Sequence, residues 1–261
     1  MTTAVPLPVD VRLMNATAAA LYVACGALLV AALGWWVLRH PLFAIGGISV
    51  HGEVTHNSAA TLRANVTPQL SGNFFTVDLR RTQRAFESVP WVRQATVRRE
   101  FPNRLRVALQ EHQAVALWGD EAASRLLNSQ GEVFEANAGD VENEGLPRLA
   151  GPDEQAPQVL AMYRAIAPLF DPLDLAVDQL QLSGRGNWRV ELDTGAVIEL
   201  GRGEVAEITP RVQRFVQTLT QVTSRYSRRP ESLVSADLRY GDGYAMRLRG
   251  VGTVEAGAQK K

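Results

Sequence analysis

The chain has 261 residues, 46% of them hydrophobic and 21% charged, enough for one large or two small packed domains besides a membrane segment; this excludes a disordered or fibrous chain. Lys plus Arg and Asp plus Glu both number 27, so no basic excess is present to neutralise a phosphate backbone, and nucleic acid is not an expected partner. The single cysteine, Cys25, can form no intrachain disulfide and leaves the compartment undecided.

The segment 16–38 is 23 residues without a charge, between Arg12 and Arg39. As a helix it extends about 34 Å, against a hydrocarbon core of about 30 Å. Trp35 and Trp36 at its far end fit an interfacial aromatic belt, and the run is too long for a cleaved signal peptide. It reads as one uncleaved transmembrane helix. Arg12 and Arg39 flank it on opposite sides, so charge leaves its orientation open.

Residues Phe43 to Gly52 read as a short apolar strand ended by glycine. Asn57 or Ser58 can cap a short helix with Leu62 and Val66 on one side. Asp78 can cap a second one, carrying Leu79, Thr82, Phe86 and Val89 and stopped by Pro90. Val92 to Phe101 and Arg104 to His112 are β-rich runs, and Pro102-Asn103 suits the two central positions of a tight turn between them. The expected order is strand, helix, helix, strand, strand.

From Ala114 the pattern changes to short strands. Arg125 to Asn128 and Glu132 to Ala136 flank Ser129-Gln130-Gly131, while Trp188, Val190 and Leu192 alternate before Asp193-Thr194-Gly195, as do Ala196, Ile198 and Leu200 after it. One intervening helix carries Val159, Tyr163, Ile166 and Phe170. A second is expected to start at the Thr209-Pro210 cap and carry Val212, Phe215, Val216, Leu219 and Val222. A last hairpin runs through Val234, Ala236, Leu238 and Tyr240 to Tyr244, Met246 and Leu248, with Val234, Ala236 and Leu238 turned to the core. The end of the chain, 251–261, is expected to be a flexible tail.

Several chemical signatures fail on inspection. Asp193-Thr194-Gly195 matches the tripeptide of aspartic proteases, which need two such carboxylates sharing a proton; one copy is present, between alternating strands, so a hairpin turn is expected. Gly201-Arg202-Gly203 lacks the further glycine or lysine of a phosphate loop. His40, His51, His56 and His112 have no Cys or carboxylate at ligand spacing, so neither a metal nor another cofactor is expected. The arginines of the first hairpin, Arg93, Arg98, Arg99, Arg104 and Arg106, are interspersed with Glu100 and Glu111; a solvated strand face accounts for them, with a membrane-surface role as the alternative.

The run from Val89-Pro90-Trp91 through Phe101-Pro102-Asn103 to Val107 resembles the hairpin of the polypeptide-transport-associated (POTRA) domain in the FtsQ/DivIB family. Pro147-Arg148-Leu149-Ala150-Gly151-Pro152, Leu200-Gly201-Arg202-Gly203-Glu204, Arg214-Phe215-Val216 and Asp237-Leu238-Arg239-Tyr240 continue the match in the same order. The resemblance implies an α+β architecture: a cytoplasmic tail at 1–15, a transmembrane helix at 16–38, a β-α-α-β-β POTRA domain at 43–112, and a mixed, mainly antiparallel β domain with flanking helices at 113–250. It also implies a non-enzymatic division protein, single-pass in the inner membrane, with its bulk in the periplasm at the septum.

Expected partners are FtsB and FtsL on the β domain and other division proteins on the anchor and POTRA domain, with no small-molecule substrate. Carried over by position, the contacts fall on Arg185, Arg239, Tyr240 and Gly243, and on Leu248, where some members have a tryptophan. An unpaired C-terminal edge strand supports this location independently, because an added partner strand can satisfy its backbone. The rival readings are a POTRA-type secretion component, which would need a downstream barrel, and a membrane-anchored aspartic protease, which would need a second carboxylate beside Asp193.

Overall fold

A computed structural model describes residues 9–38, 40–52, 54–120, 125–137, 139, 141, 145–241 and 243–251. The tail expected at 251–261 lies outside them except for Val251, as does the first part of the tail expected at 1–15. The chain forms two compact units, Met1–Glu111 and His112–Lys261.

In the first unit, helix α1 spans Val9–Leu38 and is long and apolar enough over Asp10–Val37 to cross a membrane. Leu21, Leu28, Val30 and Leu33 on it are each more than 60% exposed, an apolar surface of the kind that lipid covers. Strand β1 spans Gly47–Gly52 and so begins later than the sequence suggests. Pro41–Phe43 instead form a 3-10 turn, because proline has no N–H to donate to a ladder and its fixed φ suits the first helical position. His40 Nδ1 accepts the Leu42 N–H to cap this turn.

Helix α2, Ala59–Val66, is capped by Ser58, and helix α3, Leu79–Glu87, by Asp78, whose carboxylate accepts the N–H groups of Arg80 and Arg81. Strands β2, Val92–Glu100, and β3, Arg104–Glu111, form a hairpin. Glu100 pairs with Arg104, so the connection is the three-residue loop Phe101–Asn103, with a cis bond before Pro102, rather than a turn centred on Pro-Asn. The sheet order is β1-β3-β2, with β1 parallel to β3. Leu62, Val66, Ala85, Phe86 and Val89 from the helical side pack on Ala95, Val107 and Leu109.

The second unit contains strands β4 (Ala114–Trp118), β5 (Arg125–Asn128), β6 (Val133–Glu135), β7 (Arg148–Ala150), β8 (Val177–Leu182), β9 (Trp188–Leu192), β10 (Val197–Gly201), β11 (Leu233–Asp237) and β12 (Ala245–Leu248). Helix α4 spans Ala156–Ile166 and α5 spans Val205–Arg225. Among the described residues these strands form one sheet in the order β12-β11-β10-β9-β8-β7-β4-β5-β6. Most neighbours are antiparallel, but β4/β7, β7/β8 and β10/β11 are parallel. Helix α4 joins β7 to β8 and α5 joins β10 to β11, because parallel neighbours need a crossover. Both helices enter a core with Trp118, Leu149, Trp188, Val190, Ile198, Phe170 and Phe215.

Two expectations here are corrected. Helix α5 begins at Val205, not at Thr209-Pro210: Glu204 and Glu207 form a reciprocal capping box, and Pro210 lies inside the helix. The exposed proline forfeits one backbone bond there, while Ile208 just before it is fully buried. In β11 the inward residues are Leu233 and Ala236, followed by Leu238 just beyond the strand, and not Val234, because the pairing with β12 shifts between Leu233 and Ser235 and resets the alternation. The Asp193-Thr194-Gly195 segment is the turn between β9 and β10. The Leu192 carbonyl accepts the Gly195 N–H, and Gly195 has a φ of +77°, which suits glycine.

Glu111, 8% exposed, closes the first unit. One carboxylate oxygen accepts the N–H groups of Thr55 at 2.8 Å and His56 at 3.0 Å; the other accepts the N–H of Asn57 at 3.1 Å and its Nδ2 at 3.0 Å. The His56 ring stacks on Trp91 at 3.8 Å. Burial pushes the Glu111 pKa up, but the backbone N–H donors of His56 and Thr55 outweigh it, and the net effect is a pKa below the usual glutamate value. The ionised form is therefore the one that folding favours, and its contribution is lost as pH falls through that lowered pKa. Glu111→Gln replaces one acceptor by a donor aimed at other donors and should cost about 1–3 kcal/mol at neutral pH. Urea unfolding should show that gap closing below about pH 4; a gap that is constant with pH would remove the carboxylate from this role.

Candidate partner-binding edge

Strand β12 pairs only with β11 among the described residues, so its other side is an open sheet edge. Ala236 pairs with Met246 and Asp237 with Ala245, which places Leu238 to Tyr244 in the connecting loop at one end of the sheet. That loop is tied to helix α5. The Tyr244 hydroxyl lies 2.7 Å from Thr218 Oγ1, its ring meets Phe215 edge-on at 5.0 Å, and Arg214 Nη1 donates to the Gly241 carbonyl at 3.5 Å.

Four of the five residues expected to contact a partner lie on the surface. Tyr240 is 61% exposed, and Arg239 and Gly243 are also exposed. Asp237 accepts Arg239 Nε at 2.8 Å, Nη2 at 2.5 Å and the Arg239 N–H at 3.1 Å. This bonding, first of all the guanidinium hydrogen bond, holds the Asp237 pKa below its ordinary value and pushes that of Arg239 up. An exposed pair of this kind adds little stability; its effect is to fix the guanidinium beside Tyr240. Leu248 differs from the other four. At 6% exposed and paired with Leu233, it is a core side chain, and only its backbone belongs to the edge.

Arg185 sits in the β8–β9 turn, which closes through Ser183 N–H to Asn187 O and Gly186 N–H to Ser183 O. The strand register brings that turn to the same end of the sheet as Arg239: Leu182 pairs with Trp188, Trp188 with Gly201, and Glu199 with Asp237. Trp188 Nε1 donates to the Gly203 carbonyl at 3.0 Å and Arg202 Nε to Asn187 Oδ1 at 3.3 Å, fastening the turn to the loop after β10. Gly201, with φ +83°, leaves space for Arg239: a Cβ there would stand 3.1 Å from Arg239 Cγ and 3.3 Å from an Arg211 nitrogen.

The sequence names Arg202 and Arg214 only within motifs and does not place them, or Arg211, at this end of the sheet. The spacing of Arg211 and Arg214 along one helix was the available signal, but their arrival beside Arg239 follows from the crossover, which local periodicity does not encode. Together Arg185, Arg202, Arg211, Arg214 and Arg239 bring several guanidinium groups and the exposed Tyr240 to one end of the sheet, with Arg239 paired to Asp237 and Arg211 and Arg214 donating to the Leu200 and Gly241 carbonyls.

Comparison with known proteins agrees with this architecture. Residues 116–239 match the family model "Cell division protein FtsQ/DivIB, C-terminal", and residues 43–112 match "POTRA domain, FtsQ-type". The chain is 41% identical over 249 residues to the cell division protein FtsQ of Thiomonas arsenitoxydans, covering 94% of this chain and 90% of that one. It is 41% identical to that of Burkholderia pseudomallei, over 93% and 94% of the two chains, and 38% identical to that of Bordetella pertussis, over 92% of each. The protein therefore belongs to the FtsQ/DivIB family of cell division proteins, with a POTRA domain of the FtsQ type behind an N-terminal helix that is long and apolar enough to cross a membrane.

Proposed function

We propose that this protein is a non-enzymatic scaffold of the division machinery. It binds FtsB and FtsL through its β domain in the periplasm, engages other division proteins through its anchor and POTRA domain, and so links early cytoplasmic with late periplasmic components at the septum. The observation that carries this reading is the open β12 edge with Arg239 and Tyr240 at its end, and Arg185 in the β8–β9 turn at the same end of the sheet. It offers unpaired backbone for a partner strand and two residue types that dominate binding hot spots. The domain assignment that goes with it is a tail at 1–15, an anchor at 16–38, the POTRA domain at 43–112 and the β domain at 113–250.

The orientation is tested with reporters that are active only outside the cytoplasm. Fusions after Leu248 should be active and fusions before Arg12 inactive, and the reverse pattern contradicts it.

Binding of the extracytoplasmic segments of FtsB and FtsL to the detergent-solubilised chain tests the site. Tyr240→Ala removes an exposed aromatic anchor and should cost about 2 kcal/mol, roughly thirty-fold in affinity. Gly243→Pro should weaken binding further, because proline removes a backbone donor and fixes φ at the entry to β12. Neither residue contributes to the core, so both variants should keep the parental thermal transition. Unchanged affinity in two folded variants would place the interface elsewhere.

A further inference from the structure

The arginine-rich hairpin of the first unit is not absorbed by partner binding at the β12 edge. Its surroundings concern the membrane. Residues 40–111 carry nine arginines, no lysine and five carboxylates, whereas residues 112–261 carry 16 basic and 21 acidic side chains. The positive charge is thus concentrated on the part of the chain that follows the anchor.

Within that part it is concentrated further. Arg98 pairs with Arg106 across the hairpin, and Arg104 with Glu100, on the sheet face turned away from the helices. Like charges directly opposite each other on neighbouring strands destabilise a sheet. Arg106 reaches Glu100 in an ion pair, while Arg98 and Arg104 remain exposed.

At the tip of the same hairpin lies an aromatic cluster. Phe101 is 79% exposed and Phe75 44%; Phe43, Phe74, Phe75 and Phe101 form a chain of edge-on contacts at 4.9, 5.2 and 6.4 Å, and Leu42 beside them is 74% exposed. Arg99 holds the supporting loop by donating to the Phe74, Phe75 and Val77 carbonyls.

The cluster is stitched to the segment that leaves α1. The Gly46 N–H donates to the Asn103 carbonyl at 2.9 Å, and the Phe74 N–H to the Phe43 carbonyl at 2.8 Å. Phe43 is five residues beyond Leu38, where the helix ends, so it lies at most about 17 Å along the chain from that point. The headgroup layer is itself about 5–7 Å thick on each side. Phe75 and Phe101 reach Phe43 through these ring contacts, and exposed phenylalanines near the end of the anchor, rimmed by arginines, match an anionic bilayer surface in charge and in polarity.

We propose that the hairpin tip Phe101–Asn103, with Leu42, Phe43 and Phe75, docks on the bilayer from which the anchor emerges, the phenylalanines entering the headgroup layer and Arg98, Arg104 and Arg106 meeting anionic phospholipid headgroups. This rests on α1 being the membrane anchor, which flotation of the chain with vesicles checks separately. Docking fixes the height and tilt of the POTRA domain above the membrane.

The hairpin supplies its own ruler. In the full chain with Cys25→Ser, single cysteines are placed at Asn103, Ala108 and Gln110, the last two about 17 and 23 Å along the strand from the tip. Each is labelled with a fluorophore in vesicles that contain headgroup-quencher lipid and phosphatidylcholine, with or without phosphatidylglycerol. Quenching should be strongest at position 103 and fall several-fold by position 110. It should require phosphatidylglycerol, weaken at high salt, and drop several-fold at position 103 in the Phe75→Ser, Phe101→Ser variant, whose thermal transition should not move. Equal quenching at 103 and 110, or quenching at 103 indifferent to the serine variant and to phosphatidylglycerol, overturns the proposal. So does a tip that stays unquenched in vesicles but crosslinks to a protein in native membranes, which would assign the face to a protein partner.

Discussion

Parallel strands cannot be joined by a tight turn, and that constraint organises the second unit. The pairing of β10 with β11 obliges the chain to travel from Gly201 to Leu233 by way of a helix. Helix α5 is that connection, and it buries Ile208, Val212, Phe215 and Leu219 against the sheet. By returning the chain alongside β10, the crossover leaves β11, and then β12, at the margin of the sheet. It also carries Arg211 and Arg214 to the end where Arg239 and Tyr240 emerge. The open edge, the gathering of arginines at one end and the packed core are three results of one connection.

The first unit solves a smaller problem with a different device. Three strands and two short helices enclose a modest core, and the loop between β1 and α2 is held by a single buried carboxylate that gathers the N–H groups of three successive residues. A buried carboxylate is tolerated only when its oxygens are satisfied in this way. Glu111 ends strand β3, so the hairpin that displays the arginines and Phe101 at its tip also supplies the clasp at its other end.

Much of this was legible in the sequence because the signals were local. Strict alternation marked Trp188, Val190 and Leu192 and then Ala196, Ile198 and Leu200, and Asp78 declared itself as a cap by its place before an amphipathic run. What failed was decided by competition between signals or by distant partners. Thr209-Pro210 looked like a helix start because proline is common there, yet the capping box at Glu204 and Glu207 begins the helix a full turn earlier and the tertiary burial of Ile208 keeps it helical through the proline. Val234 lost its inward position to an irregularity in strand pairing, which one strand's sequence does not reveal. Of the expected contact residues, Arg185 and Arg239 are distant in sequence and are brought to one end only by the register of four strands, while Leu248 is drawn inward by Leu233.

The central claim is that partners are held by strand addition at β12. Amide hydrogen exchange of the solubilised chain, with and without the extracytoplasmic segments of FtsB and FtsL, addresses the backbone directly. The account predicts slowed exchange confined to Tyr244 through Leu248 and the adjoining loop, with the opposite sheet edge at β6 unchanged. Saturating partner that leaves the β12 amides exchanging at their free rate would contradict it.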